Sequence, residues 1–143
     1  MRKMGAVFGA TLVVVLFASL QCLRADKAGA GALEGTWKGK ELGGRTEGTC
    51  YLTITGQTMD FRGADTNEWY KGTFTLMEDA KPRQVVVKIT DCPLAQYVGK
   101  TTHAIYRLDA GVLTIAGNEP GAPEAPKDFN DPEARRFVFK LKQ

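Results

Sequence analysis

The chain has 143 residues, with 19 Lys and Arg against 16 Asp and Glu, and its formal net charge is +3. This length predicts a single domain. Arg2, Lys3 and Arg24 lie within the first 25 residues, and removing them from the 19 basic residues leaves 16 against 16 acidic ones. The charge of the remaining chain therefore gives no reason to expect binding to nucleic acid or to an anionic membrane.

The first 25 residues have the pattern of a secretory signal peptide. A positive start at Arg2 and Lys3 precedes the apolar run 5–20, and the small residue Ala25 offers a cleavage point. The run is shorter than the roughly 20 residues that span a bilayer as a helix. We expect cleavage, export to the periplasm or the cell exterior, and no stable membrane insertion afterwards.

The expected mature chain begins with a short lead-in. Residues 26–32 are mainly Ala and Gly, which is typical of a flexible segment, and a single domain then covers residues 33–143. Cys22 follows Gln21 rather than a small residue, so lipid anchoring at Cys22 is not expected.

Composition removes most catalytic chemistry from the mature chain. The only serine is Ser19, within the predicted signal peptide, and the only histidine is His103. A serine nucleophile and a site with two histidine ligands are thus excluded. Carboxylate pairs such as Asp65 with Glu68 lie in polar loops, where they are usually solvated turn residues. We expect no enzyme, no cofactor and no metal.

Eight short runs alternate between apolar and polar residues, as strands with one buried face do. The predicted strands cover residues 33–42, 47–55, 58–62, 69–77, 83–90, 102–108, 112–116 and 136–142. No segment after residue 25 has helical periodicity. Because the connections before residue 117 are short, the sequence favours an eight-stranded antiparallel up-and-down barrel, with a two-sheet sandwich as the alternative.

The inward faces of these strands are apolar, which predicts a small hydrophobic ligand inside the barrel. The predicted lining residues are Trp37, Leu52, Ile54, Phe61, Tyr70, Phe74, Val87 and Tyr106. Eight strands leave an interior that side chains fill or that one small ligand occupies, so a packed core is the alternative. Tyr70, Tyr106 and Glu41 are the inward polar groups, which would suit one polar end of a ligand.

Up-and-down connections place the longer loops 43–46, 63–68, 91–101 and 117–134 at one end, which we call the mouth. Aromatic residues on or beside these loops, Trp69, Tyr97 and Phe129, suggest a second function, a protein-interaction or inhibitor module. Folding of these rings back over the barrel is the competing interpretation. We expect a monomer in either case.

Two cysteines are predicted at the mouth. Cys50 lies near the start of the second strand and Cys92 follows the end of the fifth. In an exported chain such a pair predicts a disulfide, with a stabilisation of roughly 4 kcal/mol for a loop of about 40 residues. The alternative is a pair of buried free thiols.

Gly35-Thr36-Trp37 resembles the Gly-x-Trp signature in the first strand of lipocalins. In that family the Trp closes the base of the barrel and packs against a basic residue beyond the last strand. The resemblance implies this position for Trp37, with Lys140 or Lys142 over its ring.

A broader resemblance covers nearly all of residues 33–143. The matching segments are Leu33-Glu34-Gly35-Thr36-Trp37, Thr58-Met59-Asp60-Phe61, Gly72-Thr73-Phe74, Ile89-Thr90-Asp91, Ile105-Tyr106-Arg107-Leu108-Asp109 and a Pro-rich stretch before the final Phe-Val-Phe. Together they resemble a family of small exported bacterial lipocalin-like domains of unknown function. This chain departs from the family pattern in having no Arg between Pro120-Gly121 and Phe129. The resemblance implies a fold and a location but no activity.

Overall fold

The structure is a computed structural model, and it describes residues 29–44 and 47–143. Residues 1–25, predicted as a signal peptide, lie outside the described residues, and so does Cys22. Within the described ranges, no helix is long and apolar enough to cross a membrane.

Eight antiparallel strands form one closed barrel in which each strand pairs with the next and the last pairs with the first. The strands are β1 (Gly35–Leu42), β2 (Cys50–Thr55), β3 (Thr58–Arg62), β4 (Trp69–Met77), β5 (Gln84–Asp91), β6 (Thr101–Asp109), β7 (Val112–Gly117) and β8 (Arg135–Leu141). The predicted up-and-down barrel is confirmed, and the sandwich alternative is wrong. The apolar/polar alternation predicts the strands because each strand buries one face and exposes the other, and the short connections predict that consecutive strands are neighbours in a barrel.

The strand bounds differ from the predicted ones mainly at the start of β1 and β2. Residues Gly31–Leu33 form a 3-10 turn, and β1 begins two residues later at Gly35. β2 begins three residues later than predicted, at Cys50, and Gly48 before it has a φ of 127°, which favours glycine. The predicted bounds of β3 and β4 match the structure.

The base of the barrel is closed by the 3-10 turn and by Trp37. The Trp37 side chain is buried, and its Nε1 donates a hydrogen bond of 2.8 Å to the Leu33 carbonyl. Leu33 is also buried and reaches the barrel interior. The hydrogen bond from the indole thus holds the segment that leads into β1 in place at the base of the barrel.

Lys142 does not stack on Trp37, contrary to what the lipocalin signature implies. Its Nζ lies 5.8 Å from the centroid of the Tyr51 ring, and its backbone N–H donates to the Thr36 carbonyl. In β8 the inward positions are those of Phe137 and Phe139, so Lys140 and Lys142 point outward by alternation. An inward indole is out of their reach.

The part of the segment 118–134 around Phe129 packs on the outside of the barrel wall, whereas Glu119 and Glu133 near its ends border the interior. Ile105 and Ala116 are paired across β6 and β7, face outward and are nevertheless fully buried. The Phe129 ring lies 4.7 Å from Cζ of Arg107, two residues along the same outer face as Ile105. We infer that this segment forms a small second core over the outer wall, which strand alternation does not predict.

Candidate functional site

The barrel encloses a cavity of about 580 Å³ that reaches from Leu33 at the base to the mouth loops. Its wall is mainly apolar, and it includes seven of the eight residues that alternation places inside: Leu52, Ile54, Phe61, Tyr70, Phe74, Val87 and Tyr106. Trp37 is instead part of the buried core at the base and does not border the cavity. The interior is therefore hollow rather than filled by side chains.

Uneven side-chain size across the barrel explains the cavity. The Phe137 ring packs against both Phe61 and Phe139. Its centroid lies 5.2 Å from that of Phe61 and 5.9 Å from that of Phe139. β6 and β7 contribute small residues to the wall, Ala104 and Gly117, which are paired with each other. These small side chains leave space that the aromatic rings do not fill.

An ion-pair cluster around the buried Glu41 lies at the mouth end of the cavity. Arg135 donates from Nε and Nη2 to the two carboxylate oxygens of Glu41, each at 2.9 Å. Its Nη2 also donates to Oε1 of Glu68 at 2.9 Å. The Glu41 side chain is only 3% exposed. The hydrogen bonds to Glu41 raise the pKa of Arg135, so the guanidinium stays charged at any relevant pH.

The sequence indicates this cluster only in part. Glu41 is expected to face inward, but Glu68 is interpreted as a solvated loop residue and Arg135 lies one residue before the predicted last strand. Extending the alternation back from Phe137 would have placed Arg135 inside the barrel. A buried glutamate then requires a cationic partner, which is the signal that identifies Arg135.

Two tyrosine hydroxyls belong to the cavity wall. Burial raises the pKa of Tyr70, with a further increase from Glu68, and burial also raises the pKa of Tyr106. Tyr106 is only 5% exposed. Within the described part of the chain, neither hydroxyl has a hydrogen-bond partner, so both can bond to a molecule in the cavity.

The three aromatic residues predicted as an interaction surface are dispersed. Trp69 alternates with inward Tyr70 and therefore lies on the outer wall, where Lys71 is 5.7 Å from its ring. Phe129 packs on the outer wall beside Arg107. Only Tyr97 borders the cavity, where its hydroxyl bonds to Oε1 of Glu119 at 3.2 Å. No single surface brings the three together.

The predicted disulfide between Cys50 and Cys92 is wrong, since both are buried free cysteines. β3 and β4 lie between their strands in the barrel order. Three strand spacings of about 4.8 Å separate the cysteines by about 14 Å along the wall, whereas a disulfide needs Cα atoms within about 7 Å. The Cys92 thiol instead donates to the Leu94 carbonyl at 3.0 Å. Lying at one end of a barrel does not make two residues neighbours.

Both thiols should therefore be protected in the folded protein. We expect iodoacetamide to label Cys50 and Cys92 slowly in native buffer and fully in guanidinium without reductant, as measured by peptide mass spectrometry. Full labelling that requires a reductant would instead show a disulfide.

Burial also raises the pKa of Cys50. Because the unfolded chain ionises this thiol at lower pH than the folded chain, stability should fall as pH rises above the thiol's ordinary pKa.

His103 lies on the outer face of β6, opposite Val86 of β5, and is half-buried. Within residues 29–44 and 47–143, no three His, Cys, Asp or Glu side chains are grouped to hold a metal ion.

Comparison with protein-family models, with curated proteins and with solved structures finds no match to this chain.

Proposed function

We propose that this protein is an exported, lipocalin-like binding barrel that holds a small hydrophobic molecule in its interior. The observation that supports this function is the cavity of about 580 Å³ with its mainly apolar wall. Ligand sites in proteins typically have volumes of about 300–1,000 Å³ and combine apolar walls with a few polar groups. The cavity fits this description, with Tyr70 and Tyr106 as polar groups.

The walls of the cavity favour a preformed site. Phe61, Phe74 and Phe139 are all buried and belong to the hydrophobic core cluster. The closed set of strand pairs holds these side chains in place without a ligand. A preformed apolar site does not have to order its residues on binding, which lowers the free-energy cost of association.

Titration with N-phenyl-1-naphthylamine, an uncharged probe that fluoresces in apolar surroundings, tests the proposal. We expect saturable binding to the native protein and none to the unfolded protein. Displacement by aliphatic compounds should follow, because they occupy the same apolar volume.

A substitution at Gly117 separates cavity binding from surface binding. A Cβ at Gly117 would lie 3.5 Å from Cβ of Ala104, an ordinary contact, and the position borders the cavity. We expect Gly117→Leu to fill part of the cavity and weaken probe binding by at least about tenfold without unfolding the barrel. The matched control is Thr73→Leu at an exposed position of β4. Unchanged probe affinity in Gly117→Leu would contradict binding in the cavity.

Export is part of the same proposal and rests on residues 1–25. The intact mass of the protein recovered from outside the cytoplasm should correspond to a chain that begins near residue 26. Recovery of the full 143-residue chain only from the cytoplasm would contradict export.

A further inference from the structure

The charges that face the cavity are unbalanced. Among the described residues that line it, Arg135 is the only cationic side chain, whereas three carboxylates, those of Glu68, Glu119 and Glu133, belong to the lining. All four residues lie toward the mouth. Even with Lys100, whose Nζ lies 5.9 Å from the centroid of the Tyr97 ring, carboxylates outnumber cationic side chains in this described part of the mouth.

The charge of the guanidinium is already more than compensated. Three of its five N–H donors go to carboxylate oxygens, two to Glu41 and one to Glu68. Together these two glutamates carry more charge than Arg135 neutralises. An incoming carboxylate could reach only the remaining Nη1 donors, and it would add a third negative charge beside a single positive one.

The other two carboxylates remain open to a ligand. Glu119 accepts a hydrogen bond from the Tyr97 hydroxyl, and both residues border the cavity. Glu133 is exposed and borders the cavity too. A protonated amine at the mouth would be attracted to both side chains and would keep some contact with water, which limits the cost of removing its charge from solvent.

A second observation is an unpartnered polar group that faces the cavity. The Tyr106 side chain is more than nine-tenths buried, belongs to the cavity wall and has a hydroxyl with no hydrogen-bond partner in the described chain. The hydroxyl is not enclosed by protein, so it is open to the cavity and to a guest with a polar group within its reach.

We infer that the ligand of this cavity is a cationic amphiphile, with an apolar body inside the barrel and a protonated amine among the mouth carboxylates. This inference rests on the proposed binding function and adds the class of ligand to it. It gives Glu119 and Glu133 the role of specificity-determining residues. The barrel should accept an uncharged alcohol less well and a carboxylate of the same chain length least well.

Displacement of N-phenyl-1-naphthylamine by three compounds of equal chain length tests the inference. Dodecylamine, dodecan-1-ol and dodecanoic acid share one apolar tail and differ in the charge of the head. At pH 7 and low salt we expect the amine to bind about tenfold more tightly than the acid, with the alcohol in between. The preference should shrink in 0.5 M NaCl, because salt screens the exposed mouth charges; the Debye length is about 10 Å at 0.1 M and shorter at higher salt.

A double substitution tests whether the mouth carboxylates cause the preference for the amine over the acid. In a double variant carrying Glu119→Gln and Glu133→Gln, we expect the amine-to-acid ratio to fall to about twofold, with little change for the alcohol. The matched control carries Glu124→Gln and Asp109→Asn, which remove the same charge at exposed positions outside the cavity wall. The control should keep the wild-type ratio.

The outcomes separate the two proposals. If neither the probe nor any of the three compounds binds, the binding function is wrong and the inference is wrong with it. If the probe binds but the acid matches or exceeds the amine, the cavity binds ligands and the inferred ligand class is wrong. An amine preference that survives in the Glu119 and Glu133 double variant would also overturn the inference, because the mouth carboxylates would not be its origin.

Discussion

Replacing Arg135 with methionine should lower the free energy of unfolding by about 3 kcal/mol, because the buried Glu41 carboxylate would lose the two hydrogen bonds and the positive charge that Arg135 supplies. Arg135 makes two hydrogen bonds to Glu41 and one to Glu68, and the Glu41 side chain is almost completely buried. Methionine has a similar length but cannot donate to either carboxylate. Urea denaturation followed by circular dichroism measures the change.

Two further variants test the cause of that loss. Adding Glu41→Gln to Arg135→Met removes the buried negative charge, and we expect this double variant to recover part of the lost stability. The matched control is Arg62→Met, because Arg62 pairs with Asp60 on the surface and its side chain is 56% exposed. That variant should change stability by less than about 0.5 kcal/mol. An equal loss in Arg62→Met and Arg135→Met would contradict a specific role for the buried cluster.

The ion-pair cluster illustrates what strand alternation reveals and what it leaves out. Alternation along β1 places Glu41 inside the barrel, as the structure does. The partner is 94 residues away in the sequence, on a strand that meets β1 only because the barrel closes. Alternation extended back from Phe137 also places Arg135 inside and makes it a candidate partner, but local patterns carry no information on closure register and do not show that the two side chains meet.

The outer wall shows a second limit of the same reasoning. Ile105 and Ala116 face away from the interior and are fully buried, because the segment 118–134 packs near them. The sequence predicts this segment as an irregular loop at the mouth, since its prolines show no strand pattern. Where such a segment packs depends on tertiary contacts, which alternation does not describe.

The hollow interior could not be decided from the sequence either. Seven of the eight residues predicted as lining border the cavity. Whether inward side chains fill a barrel depends on which of them meet across it. Here the register pairs Ala104 with Gly117 and leaves Phe61 packed against Phe137. Side-chain volumes are readable from the sequence, but their arrangement across the closed sheet is not.

Replacing Gly39 with alanine should destabilise the barrel by about 3 kcal/mol, because the added methyl group has no space. Gly39 pairs with Phe139 where β1 closes on β8. A Cβ at this position would overlap the Val138 carbonyl oxygen and lie 2.8 Å from Cα of Phe139. Both are backbone atoms of β8, so only a separation of the two closing strands would relieve the overlap. Thermal and urea unfolding would measure the loss.

Gly117→Ala is the matched control, because it adds the same methyl group to a strand glycine that has room for it. A Cβ at Gly117 has ordinary contacts, 3.5 Å to Ala104 and 3.9 Å to Thr102. We expect a stability change within about 0.5 kcal/mol of zero, since no atom has to move and alanine restricts the unfolded chain slightly more than glycine. Equal effects of the two substitutions would show that the loss at Gly39 reflects the general cost of replacing a strand glycine. A large loss confined to Gly39→Ala would show that close contact between β1 and β8 closes the barrel.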